Sequence, residues 1–473
     1  MNTPIINGLK KYIEENNVRF HMPGHKGKEL MRYISDMIPQ IDVTEVEGTD
    51  NLHNPSSIIQ ESMNLAAKTF GAKKTFYSVN GTTGGIYAAI TSTISPNGKI
   101  LIQRNCHRSV YNALILGRIK HKYIYPEYSH KDQIITSVKP EDIEVQLKED
   151  DEIEAVVITY PSYYGICCDI EKVSQIVHKY NKILIVDEAH GSHLKFNDKL
   201  PKSSLEAGAD IVIQSTHKTL PAFTQSSMIH VGSDRVDIEK LRIMTSFFQT
   251  TSPSYLLMAS IDYARAYMEG KGKIRLDILI YSIEKWCAYM KSIKGVKIFD
   301  KDKISGASFY DFDMTKILIS IKGISGFYLE RILREEYSIQ LEMSDSYYGV
   351  ALTSLMDDEE NLQKLANAVE EITKKYCNDN ELLNNIDIRY IYPEIKMSLY
   401  DAFYSNKIDI ALNDSVGKIS ADFIIPYPPG IPVVCPGEQI TEEIVKYINS
   451  LKKNNIQILG FLDYNKEKIK VVE

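Results

Sequence analysis

Two side chains in this sequence have the types and spacing to do chemistry together. Asp187 ends the apolar run of ILIVDEAHGSH, and Lys218 follows the apolar run of ADIVIQSTHK, 218 − 187 = 31 residues later. A carboxylate left unpaired at the tip of a buried strand is costly and drifts toward its neutral form. An amine desolvated in the same cleft loses proton affinity and gains nucleophilicity. Each residue also has a plainer reading, Asp187 as the cap of a following helix and Lys218 as solvated surface charge. Taken as a pair on neighbouring strands they suit a pyridoxal phosphate site, in which a lysine forms the Schiff base and an aspartate holds the pyridinium proton.

A third element is VNGTTGGIYAAI at 79–90, a glycine-rich turn opening a helix. Its free backbone amides and the hydroxyls of Thr82 and Thr83 suit a phosphate. It has neither the Gly-Lys-Ser/Thr ending of a Walker loop nor the Gly-x-Gly-x-x-Gly spacing of dinucleotide folds. His107, after the run KILIQ, is either a ring stacked on a flat cofactor or an exposed histidine at a helix start. Asp187, His190 and His193 have spacings a metal could use, but no His-Glu-x-x-His and no carboxylate cluster supplies further ligands. Cys106 reads as a thiol nucleophile or as a small buried apolar residue. Lys26, in HMPGHKG, is a competing amine that follows no strand-like run.

The elements that must position these groups repeat one pattern. A β-branched or aromatic run ends in polar or glycine-rich residues and leads into a helix-like segment. It occurs at KKTFYSVNGTTGG, KILIQRNCHRS, EAVVITYPSYYG, KILIVDEAHGSH and ADIVIQSTHK. SSIIQESMNLAAKTFG and EKVSQIVHKYNK carry clear helical periodicity. Such alternation predicts an α/β fold, a mainly parallel sheet with helices on both faces. Ligands of such sheets bind beyond the carboxyl ends of the strands. That edge would gather Gly81 to Thr83, His107, Tyr163 and Tyr164, Asp187 with His190, and Ser215 with His217 and Lys218. Further on, DMTKILISIKGISGFYLERILREEYSIQLEMSD reads strand–helix–strand and DEENLQKLANAVEEITKKY reads as an amphipathic helix. The expected division is an N-terminal segment at 1–45, a large domain at 46–304, a smaller α/β domain at 305–380 and a C-terminal domain at 381–473.

Bulk composition narrows the function classes. The 473 residues carry 55 basic and 62 acidic side chains, a formal charge of −7, so no basic surface points to nucleic acid or acidic membranes. No apolar run reaches the ~20 residues needed to cross a bilayer. The N-terminus has no signal-peptide pattern, which makes the cytoplasm the expected location. Six scattered cysteines with no Cys-x-x-Cys pair predict reduced thiols.

The ordered set FHMPGHKG, DNLHNPSSIIQES, VNGTTGG, QRNCHRS, VDEAHGSH, STHKTLPAFTQSSMIH, TTSPSYLLMASIDYAR and IPYPPGIPVVCPGE resembles the Orn/Lys/Arg decarboxylase family over nearly the whole chain. These are pyridoxal-phosphate enzymes of the aspartate-aminotransferase-like type I fold. The resemblance implies Lys218 as the Schiff-base lysine, Asp187 as partner of the pyridine nitrogen and His107 as the ring stacked over the cofactor. It implies phosphate contacts from Thr82, Thr83, Ser215 and His217, and residues given across a dimer interface at Thr251 and Ser252. A homodimer or higher homo-oligomer is therefore expected, with the site shared between subunits. Two departures stand out. The chain starts almost directly at HMPGHKG, so the decamer built by the wing domain of larger members is not implied. Tyr164 occupies a position where some members carry Asp. The implied reaction is decarboxylation of arginine, lysine or ornithine, with arginine to agmatine favoured because short members often do this, and a place in polyamine biosynthesis. An aminotransferase or amino-acid lyase would share Lys218, Asp187 and the phosphate loop, and a non-enzymatic or metal-binding protein is the other class.

Overall fold

The computed structural model describes residues 3–28, 36–301, 308–376, 393–427, 430–453, 456–462 and 467–473. The expected domain boundaries at 304/305 and 380/381 lie outside these residues.

At the centre is a seven-stranded sheet. Its strands are β1 (Lys74–Ser78), β2 (Lys99–Gln103), β3 (Lys120–Ile124), β4 (Ile153–Thr159), β5 (Ile183–Asp187), β6 (Ile211–Gln214) and β7 (Ser227–Val231). They lie in the order β1-β7-β6-β5-β4-β2-β3, and only β7 runs against the others. The runs are apolar at nearly every position because helices cover both faces. Along β5, Leu184 and Val186 pack into one apolar cluster while Ile183 and Ile185 face the other. Pairing places Asp187 opposite Thr159 on one side and Ile213 on the other. That register puts the acid and the Lys218 turn side by side.

The helices follow the periodic segments. SSIIQESMNLAAKTFG forms Ile58–Phe70, closed by Gly71 at φ +77°. EKVSQIVHKYNK forms Ile170–Lys179, whose N-terminus is capped by Asp169 accepting from the Lys172 N–H. Helix α1 (Gly81–Thr93) follows β1 and lies directly on the sheet. A Cβ at Gly85 would stand 2.8 Å from Ile213 Cγ2 and 3.0 Å from Ile229 Cγ1, so only glycine permits this approach.

The smaller antiparallel sheet contains β8 (Val296–Ile298), β9 (Lys316–Ile321), β10 (Met343–Ser344) and β11 (Gly349–Leu352), with helices Gly326–Tyr337 and Glu359–Tyr376. The strand–helix–strand reading holds with one difference. The strand after the helix, Ile339–Leu341, pairs in parallel with Val18–Phe20 rather than joining β9. Residues assigned to a separate N-terminal segment are thus stitched into the smaller unit. The same stretch then crosses to the large sheet. The Gly24 N–H donates to His217 O at 2.7 Å, Ser354 Oγ donates to Gly24 O at 2.7 Å, and Lys26 Nζ donates to Leu352 O at 2.7 Å.

The last unit pairs Lys407–Ala411 with Lys468–Val472 and Ile425–Tyr427 with Gln457–Leu459, beside helix Glu442–Lys453. Arg104, one residue past β2, anchors it. Its guanidinium donates to Pro432 O (2.9 Å), Val433 O (3.1 Å) and Glu438 Oε2 (2.9 Å) in a buried cluster. No described helix is long and apolar enough to cross a membrane.

Because Gly85 sits against two sheet side chains, Gly85→Val is expected to destabilise the protein by about 1–3 kcal/mol, the usual cost of overpacking. A lowered urea midpoint with an unchanged m-value checks this.

Candidate active site

A cavity of about 610 Å³ opens at the carboxyl edge of the large sheet. Each of the five predicted turns reaches it: Thr82 and Thr83 after β1, His107 after β2, Tyr163 and Tyr164 after β4, Asp187 and His190 at the end of β5, and Ser215, His217 and Lys218 after β6. Reversal of β7 adds Ser227 beneath the same edge, since its start rather than its end lies there.

Lys218 sits in a single helical turn, Thr216–Thr219. Burial lowers its proton affinity, Asp187 and Glu342 raise it, and Lys316 lowers it again. Its Nζ lies 3.0 Å from His190 Nε2. Asp187 is displaced the other way, with burial raising its pKa and Lys218 and the Ala189 N–H opposing. That N–H, at 3.2 Å from Oδ1, is its one hydrogen-bond donor among the described residues. No helix follows Asp187 directly, so the capping role considered for it is not filled.

His107 does begin a helix, Arg108–Gly117. Its Nδ1 accepts from the Ser109 N–H at 3.3 Å and lies 2.8 Å from Ser109 Oγ, and the ring lines the cavity. Burial first, and Lys218 second, bring its pKa down to about 4. His217 holds Ser226 O through Nδ1 at 2.9 Å, and burial likewise takes it to about 4.

Thr82 and Thr83 form the first turn of α1. Gly81, at φ +63°, turns the chain into it and donates its N–H to Gln225 O at 2.9 Å. Thr82 Oγ1 bonds Ser215 Oγ and lies 3.4 Å from Ser227 Oγ. In the first turn of the helix the amides of Thr82 and Thr83 have no intrahelical acceptor, and both residues line the cavity. Thr159 Oγ1, also on the cavity wall, is buried without a hydrogen-bond partner among the described residues. Unused N–H donors at a helix start, a carboxylate with one donor and an amine beside it together fit a flat phosphorylated aldehyde cofactor.

Thr251 and Ser252 are placed elsewhere. Both are exposed, on the loop before helix Tyr255–Tyr267, and neither lines this cavity. The other candidate amine, Lys26, follows the short strand Val18–Phe20 after all, but its Nζ is buried and donates to His21 O (2.9 Å) and Leu352 O, with Asp357 at 3.7 Å. The two histidines of the metal alternative have different partners. His190 bonds Lys218, whereas His193 Nε2 turns to Asp313 Oδ1 at 3.2 Å, and no cluster of three or more His, Cys, Asp or Glu suited to a metal occurs among the described residues. Cys106 is fully buried, its thiol pushed up to about 12 by burial.

One wall was not foreseen. Glu342, beside β10, faces the cavity, accepting from Tyr163 Oη and, at 2.8 Å, from the Met22 N–H. Tyr164 Oη donates to Asp345 Oδ2 at 2.6 Å. Among 62 acidic residues only the fold singles out Glu342.

An acid at the end of β5 and an amine in the turn after β6, at the edge of a mainly parallel sheet, place this chain in the class of α/β enzymes, and solved structures share the architecture. Lysine decarboxylase A from Pseudomonas aeruginosa superposes with a TM-score of 0.78 over 99% of this chain and 80% of its own, at 20% identity. Matches to the "Orn/Lys/Arg decarboxylase, major domain" over residues 3–361 and the "Orn/Lys/Arg decarboxylase, C-terminal domain" over 391–465 cover most of the sequence. The chain belongs to the Orn/Lys/Arg decarboxylase family. It is 33% identical to arginine decarboxylase of Bacillus anthracis, over all of this chain and 97% of that protein. To arginine decarboxylase of Bacillus subtilis (strain 168) it is also 33% identical, over all of this chain and 98% of the other.

The depressed pKa values of His107 and His217 carry a definite sign. The unfolded chain takes up protons below the ordinary histidine pKa of ~6.5 that the folded site refuses until near pH 4, so both contributions weaken stability as pH falls through that window. Histidine ring NMR signals of these two residues are expected to stay flat from about pH 8 to about pH 5.5. A midpoint near 6.5 for either would contradict the burial argument.

Proposed function

We propose that this protein is a pyridoxal-phosphate-dependent decarboxylase of a basic L-amino acid, with arginine as the substrate and agmatine and CO2 as products. The observation that carries the reading is the pairing of Asp187 and Lys218 on adjacent strand ends, above the open N-terminus of α1. The bound cofactor supplies an electron sink for the pair left behind when CO2 departs.

The chain's own residues have separate tasks. Lys218 is the attachment amine, kept reactive by desolvation. Asp187 holds a proton at the ring nitrogen, where its negative charge stabilises the electron-rich stage of the reaction. Thr82, Thr83, Ser215 and His217 hold the phosphate through amide, hydroxyl and imidazole groups at the sheet edge. His107 restrains the ring plane and, being neutral, adds no competing charge. Glu342, steadied by Tyr163 and the Met22 amide, is the carboxylate suited to the substrate's distal cation. Support for arginine comes from the relatives, since those named arginine decarboxylase align end to end at 33%, whereas inducible lysine decarboxylase of Escherichia coli K12 stands at 24%. Thr251 and Ser252, exposed here, are read as completing the site of a second subunit in a cytoplasmic homodimer.

Lys218→Ala is expected to abolish turnover and the visible absorbance of the cofactor-loaded protein, and borohydride trapping followed by peptide mapping should mark Lys218 and not Lys26. Asp187→Asn should retain cofactor but lose about 10²–10³ in kcat, the scale of a lost electrostatic stabiliser. A 2-oxo acid in place of agmatine and CO2 in the product analysis would replace decarboxylation by transamination. Glu342→Gln should raise KM for arginine by about tenfold or more, with a smaller change in kcat. An unchanged KM would remove Glu342 from substrate recognition.

A further inference from the structure

His190 entered as one member of a metal alternative that the fold does not assemble, and no task above uses it. It is buried, 6% exposed, on the turn three residues beyond Asp187. Its Nε2 lies 3.0 Å from Lys218 Nζ, the one hydrogen-bond contact of that amine among the described residues. The ring is fixed from the side by Tyr163, centroids 4.7 Å apart at 66°, and Tyr163 is itself tied to Glu342. The far nitrogen, Nδ1, is buried with no partner among the described residues.

We infer that His190 is a positioning residue for Lys218: its Nε2–H donates to the lysine nitrogen and holds the amine uncharged and in place to form a bond with an aldehyde. The inference rests on the cofactor reading above. Its argument begins with the tautomer. A buried N–H without an acceptor is rarer and more costly than an acceptor lone pair left unused. The proton therefore belongs on Nε2, and the orphaned Nδ1 keeps only a lone pair. An Nε2–H facing Nζ can bond only a neutral amine, because an ammonium has donors and no acceptor.

The surroundings agree. Around the pair stand the carboxyls of Asp187 and Glu342, the amine of Lys316, and the rings of His107 and His217. Burial first, and the charge of Lys316 beside it, keep His190 from gaining a second proton. A carboxylate in its place would stabilise the ammonium and withhold the nucleophile. A neutral donor does the reverse. When the amine forms its C=N bond to the aldehyde carbon, its two N–H protons leave with the carbonyl oxygen as water, and no proton crosses the contact, so His190 remains neutral throughout.

The test follows cofactor attachment. The full-length chain is stripped of cofactor, pyridoxal phosphate is added at about pH 7.5, and the rise of visible absorbance is timed, with peptide mapping after borohydride to confirm the site. His190→Phe should slow attachment at Lys218 by about fivefold, the equilibrium weight of one neutral hydrogen bond, and shift the rate's pH midpoint upward. His190→Gln, whose amide still donates, should restore most of the rate. If the Phe variant does not fold, His190→Leu takes its place. Attachment at the wild-type rate in the Phe or Leu variant overturns the inference, and so does equal slowing by Gln, which would mark a packing role only. Wild-type protein that never takes up the cofactor at Lys218 would instead remove the reading beneath it.

Discussion

The opposition of Asp187 and Lys218 is the constraint on which the rest depends. Burial drives each toward its neutral form, and a charge on either one favours the charged form of the other. Either one alone in this cavity would be an uncompensated buried group, costing several kcal/mol of the kind proteins avoid by neutralisation or by unfolding. The pair is tolerable because β5 and β6 are neighbours in register, so the two groups leave the sheet side by side. Everything else at the edge is arranged about that fact. The α1 amides give a place for anionic charge, and buried histidines keep further positive charge out.

The sheet edge was legible because a parallel strand carries its message twice, in an apolar run and in the polar residue that ends it. All five turns named from such runs meet at the cavity. Orientation was not legible. SSMIHVG has the same composition whichever way it runs, and only the short 215–226 return, with room for one helical turn, forces β7 antiparallel. Glu342 was hidden for a related reason. It lies 342 − 218 = 124 residues beyond the lysine, beside a strand of the smaller sheet, and nothing in LEMSD distinguishes it from other acids. His190 was visible as a chemical group, but its partner was not, because a histidine beside an aspartate suggests a ligand before it suggests a donor to a distant amine.

The cavity is thus assembled from all parts of the chain, from Met22 to Ile431. The C-terminal unit reaches it through a buried guanidinium. Arg104 binds two carbonyls and the Glu438 carboxylate of that unit while its own backbone leads to Asn105 and His107. A planar, multiply bonded arginine is suited to such an anchor, since it fixes direction as well as distance. Loss of one partner would leave the other charged and desolvated.

The segment around Gly24 ties two parts of the fold together. It grips the backbone just before Lys218, through His217 O, and holds the smaller sheet through Ser354 and Leu352. There is no slack at the crossing, because a Cβ at Gly24 would come within 2.6 Å of Leu220 O. Mechanically it is a short tie-rod. A rotation of the smaller sheet, beside which Glu342 lies, would pull on the backbone that carries Lys218, so the spacing of these two groups across the cavity is set by one short span.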